Sequence, residues 1–82
     1  MTATAATAAD AIRARLLVHR ELPPPAVRRQ LRENANLPQE DIAKAVGVTR
    51  GCISHWEAGI REPKGQLLDR YVEVLQALRE AA

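Results

Sequence analysis

The side chains able to do covalent or acid–base chemistry are few: two histidines, His19 and His55, and one cysteine, Cys52. Neither histidine stands in a recognisable motif with a nucleophile or an acid partner, so no catalytic set is expected and the chain is not read as an enzyme. A single cysteine closes no intramolecular disulfide and supplies no cysteine-based zinc site, so neither a bridge nor a metal is expected to staple the fold. No Gly-rich phosphate loop and no internal repeat is present, and no cofactor is expected. What remains is hydrogen-bonding and cationic chemistry. Ten Arg and two Lys stand against ten acidic residues, a formal charge of +2 that does not by itself establish an anionic partner. The placement of these groups on secondary structure matters more than their sum.

Eighty-two residues fit one small domain, and 46% hydrophobic content with one Trp, one Tyr and no Phe requires an aliphatic core. Ile12, Leu16 and Leu17, with Ala11 and Ala14, recur at helical spacing between Arg13, Arg15 and Arg20, which predicts an amphipathic helix over 10–21. Pro23 and Pro24 stop it, and Pro25 suits the first turn of a second helix that carries Val27, Leu31 and Asn34/Ala35 on one face. Arg28, Arg29 and Arg32 decorate the rest of that helix, and Asn34 and Asn36 supply its end. A third helix runs from Pro38 or Gln39 to Val46, with Glu40 and Asp41 complementing the positive end of its dipole, and Gly47 ends it. Thr49 is the N-cap of a fourth helix over 50–57, and Gly59 and Pro63 punctuate the loop after it. Leu67, Leu68, Tyr71, Val72, Leu75 and Leu78 predict a last helix over 66–80. No stretch alternates as a strand does, so the expected fold class is all-α with about five helices, a single domain over 10–82 behind an Ala/Thr tail over 1–9.

That tail has neither basic residues nor a long apolar region and resembles no signal or transit peptide. No apolar run approaches the roughly 20 residues needed to span a bilayer, so a membrane role is not expected and the cytoplasm is the expected location. Fifteen alanines and the excess of Arg over Lys suit a GC-rich bacterial genome.

The span 38–57 holds the most specific spacing. Ile42 and Val46 face inward from one helix, Ala43 is small where two helices must approach, and Gly47 opens a tight turn. Val48 plugs the elbow, and Ile53 and Trp56 bring the next helix onto the same core. Trp56 offers a stacking platform for single-stranded nucleic acid, but its register with Ile53 and Val48 favours the core. A structural helical hairpin satisfies the same pattern.

The run Leu31-Arg32-Glu33, Leu37 through Ala43, Val46 through Arg50, Ile53-Ser54, Trp56 through Gly59 and Pro63 resembles the helix-turn-helix of the Cro/C1-type (XRE) transcription regulators, over about residues 27–75. The resemblance implies a five-helix lambda-repressor-like DNA-binding domain, a homodimer on a palindromic operator, and residues 50–56 as the recognition helix in the major groove. The helix over 10–21 lies outside it. Position by position, Gln39 matches a residue that touches the DNA backbone. Arg50, Gly51 and His55 match positions that meet base edges, with Ser54 beside them and Thr49 at the helix start. Arg50 can bond guanine bidentately or hold a phosphate. His55 can exchange hydrogen bonds with a base, with pH-dependent binding as the consequence, or stand solvated. Gly51 is a departure that offers no side chain for readout. Cys52 replaces a common Ser or Thr near a phosphate and is read as a small half-buried residue, redox sensing being the alternative. Arg32 and Glu57 match a structural salt bridge that fixes the recognition helix, and Arg61 and Lys64 match phosphate contacts. Arg28 or Arg29 is expected to add a backbone contact, while Glu40, Asp41 and Glu62 dilute the positive footprint. Pro38 and Ala58 replace a frequent cap and a frequent Asn.

The function expected from these residues is a sequence-specific regulator of double-stranded DNA, a repressor by steric competition at a promoter or a small accessory to another DNA-bound protein, controlled by abundance, oligomerisation or a regulatory protein partner, since 82 residues leave no room for a ligand-sensing domain. An antitoxin or a phage Cro-like repressor is the alternative within the same chemistry. A module that docks protein partners through its first and last helices is the alternative of another class. Val74 and Leu78, or Ile12 and Leu16, are the apolar residues expected to remain for a dimer interface.

Overall fold

The computed structural model describes residues 7–81. Thr7 begins the first helix, because its hydroxyl accepts from the Asp10 N–H at 3.0 Å while the Asp10 carboxylate accepts from the Thr7 N–H at 3.3 Å. This reciprocal box satisfies two of the donors a helix start leaves free, so α1 (Ala8–Glu21) begins two residues before the expected boundary. Ala8 and Ala9 are therefore helical rather than part of a tail, and residues 1–6 of that expected tail lie outside the described residues.

Four further helices follow: α2 (Pro25–Asn34), α3 (Gln39–Val46), α4 (Arg50–Ala58) and α5 (Gly65–Ala81). Pro25 occupies the first turn of α2, where its missing N–H has no intrahelical partner to lose. Asn36 adopts φ 57° just past the end of α2, as the short amide side chain allows. Pro38 precedes α3 without any side-chain capping bond, whereas Thr49 caps α4 by accepting from the Cys52 N–H at 3.2 Å. Among the described residues no strand occurs and no helix is long and apolar enough to cross a membrane.

α5 is the central element, packed against α2, α3 and α1, while α4 packs against α2 and α3. Ile42, Ala43, Val46, Ile53, Trp56, Tyr71, Leu75 and Leu78 form the core cluster. Each large aliphatic or aromatic side chain so enclosed contributes about 1.5–3 kcal/mol. Trp56 belongs inside it, 3% exposed and with its ring centroid 4.7 Å from that of Tyr71, so the stacking-platform alternative has no surface to act from.

Two expectations about leftover apolar surface separate here. Leu78 is 8% exposed and belongs to the core, with Val74 half-buried against it, so Leu78 is not available as an interface residue. Leu31 of α2 and Ala35 at its C-cap lie on the core cluster and border Leu78. Ile12, Leu16 and Leu17 are instead 60%, 51% and 58% exposed. α1 contains no buried residue and lies on α5 through polar ties. Arg15 Nη1 donates to Asp69 Oδ1 at 2.6 Å, Arg15 Nη2 to the Gly65 carbonyl at 3.4 Å, and Gln76 Nε2 to Glu21 Oε2 at 3.2 Å.

Candidate nucleic-acid interface

The elbow between α3 and α4 is set by three small devices. Gly47 takes φ 91°, a left-handed value that favours glycine, and its N–H donates to the Ala43 carbonyl at 2.8 Å. The Val48 N–H reaches the same carbonyl at 2.9 Å, which folds the chain back so that Thr49 can start α4. Ala43 and Ile53, both buried, allow the two helices to meet closely. Arg70 of α5 closes the end of α3 by donating to the Val46 carbonyl at 3.4 Å.

With Ile53, Trp56 and Glu57 turned inward, α4 presents Arg50, Gly51, Ser54 and His55 on its outer side. Arg50, Gly51 and His55 are exposed, and Ser54 is half-buried. A Cβ built at Gly51 meets nothing nearer than Thr49 Oγ1 at 3.9 Å, so the outer side is open at that position. Cys52 is half-buried against the core and lines a cleft shared with Trp56, Ile60 and Leu67.

The base of α4 is held by an ion pair. Arg32 Nε donates to Glu57 Oε2 at 2.6 Å and Nη2 to Oε1 at 2.9 Å, while Nη1 donates to the Leu37 carbonyl at 2.8 Å. Gln39 Nε2 adds a donor to Glu57 Oε1 at 3.1 Å. Burial alone pushes the Glu57 carboxyl up, but the bonds from Arg32 and Gln39 outweigh it and hold the group below its ordinary value. The hydrogen bond to Glu57 correspondingly raises Arg32 above its ordinary value. Gln39, expected at the DNA backbone, thus also braces Glu57, and it borders a shallow polar cleft of about 240 Å³ with Arg29, Ser54 and Ala58.

Arg28 does not stand where a backbone contact requires it. Its side chain is 4% exposed, and its guanidinium donates to the carbonyls of Pro23 and Trp56 and to the Glu62 carboxylate. Arg28, Leu31 and Arg32 lie on the inner side of α2, with Ala35 at its C-cap continuing the same stripe, which is hidden because two of its members are arginines. Glu62, expected to dilute the footprint, is the partner of that buried cation. Arg29 remains exposed beside Glu33 at 3.2 Å, and Arg61 and Lys64 are exposed in the loop after α4. Arg15, Arg28 and Arg70 are tying residues that sequence reasoning missed as such; nothing but their helical register distinguishes them from solvated arginines.

A helix-turn-helix family model matches residues 29–80, well over half of the chain. The chain belongs to the Cro/C1-type (XRE) helix-turn-helix family. It is thereby placed among DNA-binding regulators, with a lambda-repressor-like arrangement of α2 to α5. No curated protein and no solved structure matches it. Within the helix-turn-helix frame the matched span takes in α3, α4 and all but the first residues of α2, and leaves out α1 and Arg28. Among the described residues no group of three or more His, Cys, Asp or Glu is placed to hold a metal ion.

Proposed function

We propose that this helix-turn-helix protein is a sequence-specific regulator that binds double-stranded DNA in the cytoplasm as a homodimer and represses by occupying a promoter. The observation that carries the reading is the two-sided character of α4: Ile53, Trp56 and Glu57 lock one side into the fold while Arg50, Gly51, Ser54 and His55 stand on the other. A helix held that firmly enters a groove without reorganising. Arg50 is assigned base readout, because its fork matches guanine O6 and N7, and His55 and Ser54 act beside it. Gln39, Thr49, Arg61 and Lys64 are assigned to the phosphates, where they position the protein without reading sequence. Gly51 adds no side chain to the readout and leaves it to its neighbours, and Cys52 serves as a packing residue.

The homodimer is assigned to α1, whose Ile12 and Leu16 are exposed together and are not used in the fold. Dimerisation doubles the contacts available to a single short recognition helix.

Fluorescence anisotropy of labelled duplexes tests the reading, using the chain's own upstream region against a shuffled control at two salt concentrations. The expected result is tighter binding to the native sequence with affinity falling as salt rises, because phosphate contacts release counterions. Weak, salt-insensitive binding that is equal on both duplexes would overturn it. One observation favours a second reading, docking of a protein partner: the α1–α5 groove, about 610 Å³, pairs apolar Leu17, Val18 and Val72 with Glu21 and Glu73. That outcome of the titration would direct the search there.

A further inference from the structure

Three pieces of chain meet at the Arg28 guanidinium. Nε donates to the Pro23 carbonyl at 2.7 Å, in the turn before α2. Nη1 donates to the Trp56 carbonyl at 2.9 Å, in the last turn of α4, and to Glu62 Oε1 at 3.2 Å. Nη2 donates to Glu62 Oε2 at 2.9 Å, in the loop that leaves α4. The fork therefore joins the entry to α2, the end of the recognition helix and the exit loop through one buried charge. That loop is fastened at two places. Gly59, at φ 74°, starts it so close to α2 that an added Cβ would lie 3.2 Å from Pro25 Cγ, and Pro63, next to Glu62, is buried. Arg61 and Lys64 flank the second fastening and remain exposed.

Glu62 thus has two opposed effects on a polyanion. Its charge repels phosphate, while its bond to Arg28 holds the two cations on either side. We propose that Arg28 and Glu62 are a positioning pair that sets Arg61 and Lys64 against the DNA backbone, and that this outweighs the repulsion from the Glu62 charge. The inference rests on the DNA-binding reading above and extends it to residues that the phosphate never touches.

The sign of one substitution separates the two effects. Glu62→Gln makes the protein one unit more positive, which by charge alone tightens binding to every duplex. Loss of the positioning bond does the reverse, and the expected result is an affinity reduced about three- to tenfold. Glu62→Asp keeps the carboxylate and restores part of that loss. The full chain and both variants are titrated against a labelled duplex of the chain's own upstream region, with melting curves to establish that each is folded. Amide ¹⁵N relaxation of residues 59–64, recorded without DNA, shows increased motion in Glu62→Gln, a change that mere loss of global stability does not produce in the folded state. If Glu62→Gln does not fold, Arg28→Lys, which keeps the charge but not the fork, takes its place and is expected to loosen the same loop and weaken binding.

Weaker binding with a loosened loop supports the positioning role. Binding by the unsubstituted protein together with equal or tighter binding by folded Glu62→Gln overturns this inference alone. Failure of the unsubstituted protein to bind any duplex overturns the DNA-binding reading, and the inference with it.

Discussion

Arg32 and Glu57 face each other fork to fork, with two parallel bonds of 2.6 and 2.9 Å, and neither side chain is more than 12% exposed. The pair joins α2 to the end of α4. Arg32→Met would leave the Glu57 charge enclosed with Gln39 as its remaining side-chain donor, and about 3–5 kcal/mol of stability is the expected loss. Urea denaturation of the variant measures it. A loss below about 1 kcal/mol would show the pair to be no stronger than an exposed one. The same pair sets an acid limb. Glu57 has a folded value below its ordinary 4.5, so the unfolded chain takes up its proton first as pH falls. The stabilisation is fully present above 4.5 and is lost as pH drops through the folded value. Glu57→Gln is therefore expected to be less stable at neutral pH but to show a flatter decline below about pH 4.5.

Leu78 and Ile12 answer differently to the same substitution. Leu78→Asp places a carboxylate within the core cluster and is expected to unfold the domain or cost at least about 3 kcal/mol. Ile12→Asp changes a residue that touches solvent and is expected to leave the melting temperature of the monomer within a few degrees. Circular dichroism compares the two. Sedimentation of folded Ile12→Asp beside the unsubstituted protein then tests the dimer surface: a dimer that survives both Ile12→Asp and Leu16→Asp is not held through α1.

Arg50→Ala is expected to weaken binding to the preferred duplex by about 1–3 kcal/mol with the fold retained. Arg50 is exposed on the first turn of α4, and no side-chain bond of the fold depends on it among the described residues. Equal weakening on preferred and shuffled duplexes would make Arg50 a phosphate contact.

Tyr71 carries a hydroxyl that is buried and has no hydrogen-bond partner. Burial pushes its ionisation well above the ordinary value of 10.0, so the group stays neutral and unpaired at any ordinary pH. Tyr71→Phe removes the unpaired oxygen and keeps the ring against Trp56, and a gain of about 1 kcal/mol is expected. A scan that shows a lower melting temperature would mean that the hydroxyl is paired in solution.

The helices were legible in the sequence where punctuation and periodicity agreed. Pro25, Gly47, Thr49 and Gly59 each bound an element, and Ile42, Val46, Ile53, Trp56, Tyr71 and Leu75 form the core that their spacing predicts. The start of α1 was less legible because Thr7 lies in an Ala/Thr run that reads as a tail until its box with Asp10 is formed. The inner side of α2 was hidden for a different reason. Charged residues are read as outward by default, and Arg28 is enclosed only because two backbone carbonyls and Glu62, distant in sequence, converge on it. Leu78 was misjudged because local spacing does not reveal whether Leu31 and Ala35, at the end of α2, reach as far as the last turns of α5. The outward set on α4 was readable as a set, since helical geometry puts it opposite Ile53 and Trp56.

Gly51 needs neither a positive φ nor the space it leaves, for it is absent from the left-handed glycines and its surroundings are open. Gly51 is the second residue of α4, where glycine still costs backbone entropy relative to alanine, though less than the roughly 1 kcal/mol lost in a helix interior. Nearly any unbranched side chain introduced there would strengthen α4 and at the same time add a chemical group to its outer side. Stability and recognition normally pull against each other when a protein acquires a new preference. On the proposed interface they run in the same direction at this position, which would make residue 51 a point from which target choice can drift, or be rewritten by design, without any compensating change in the core.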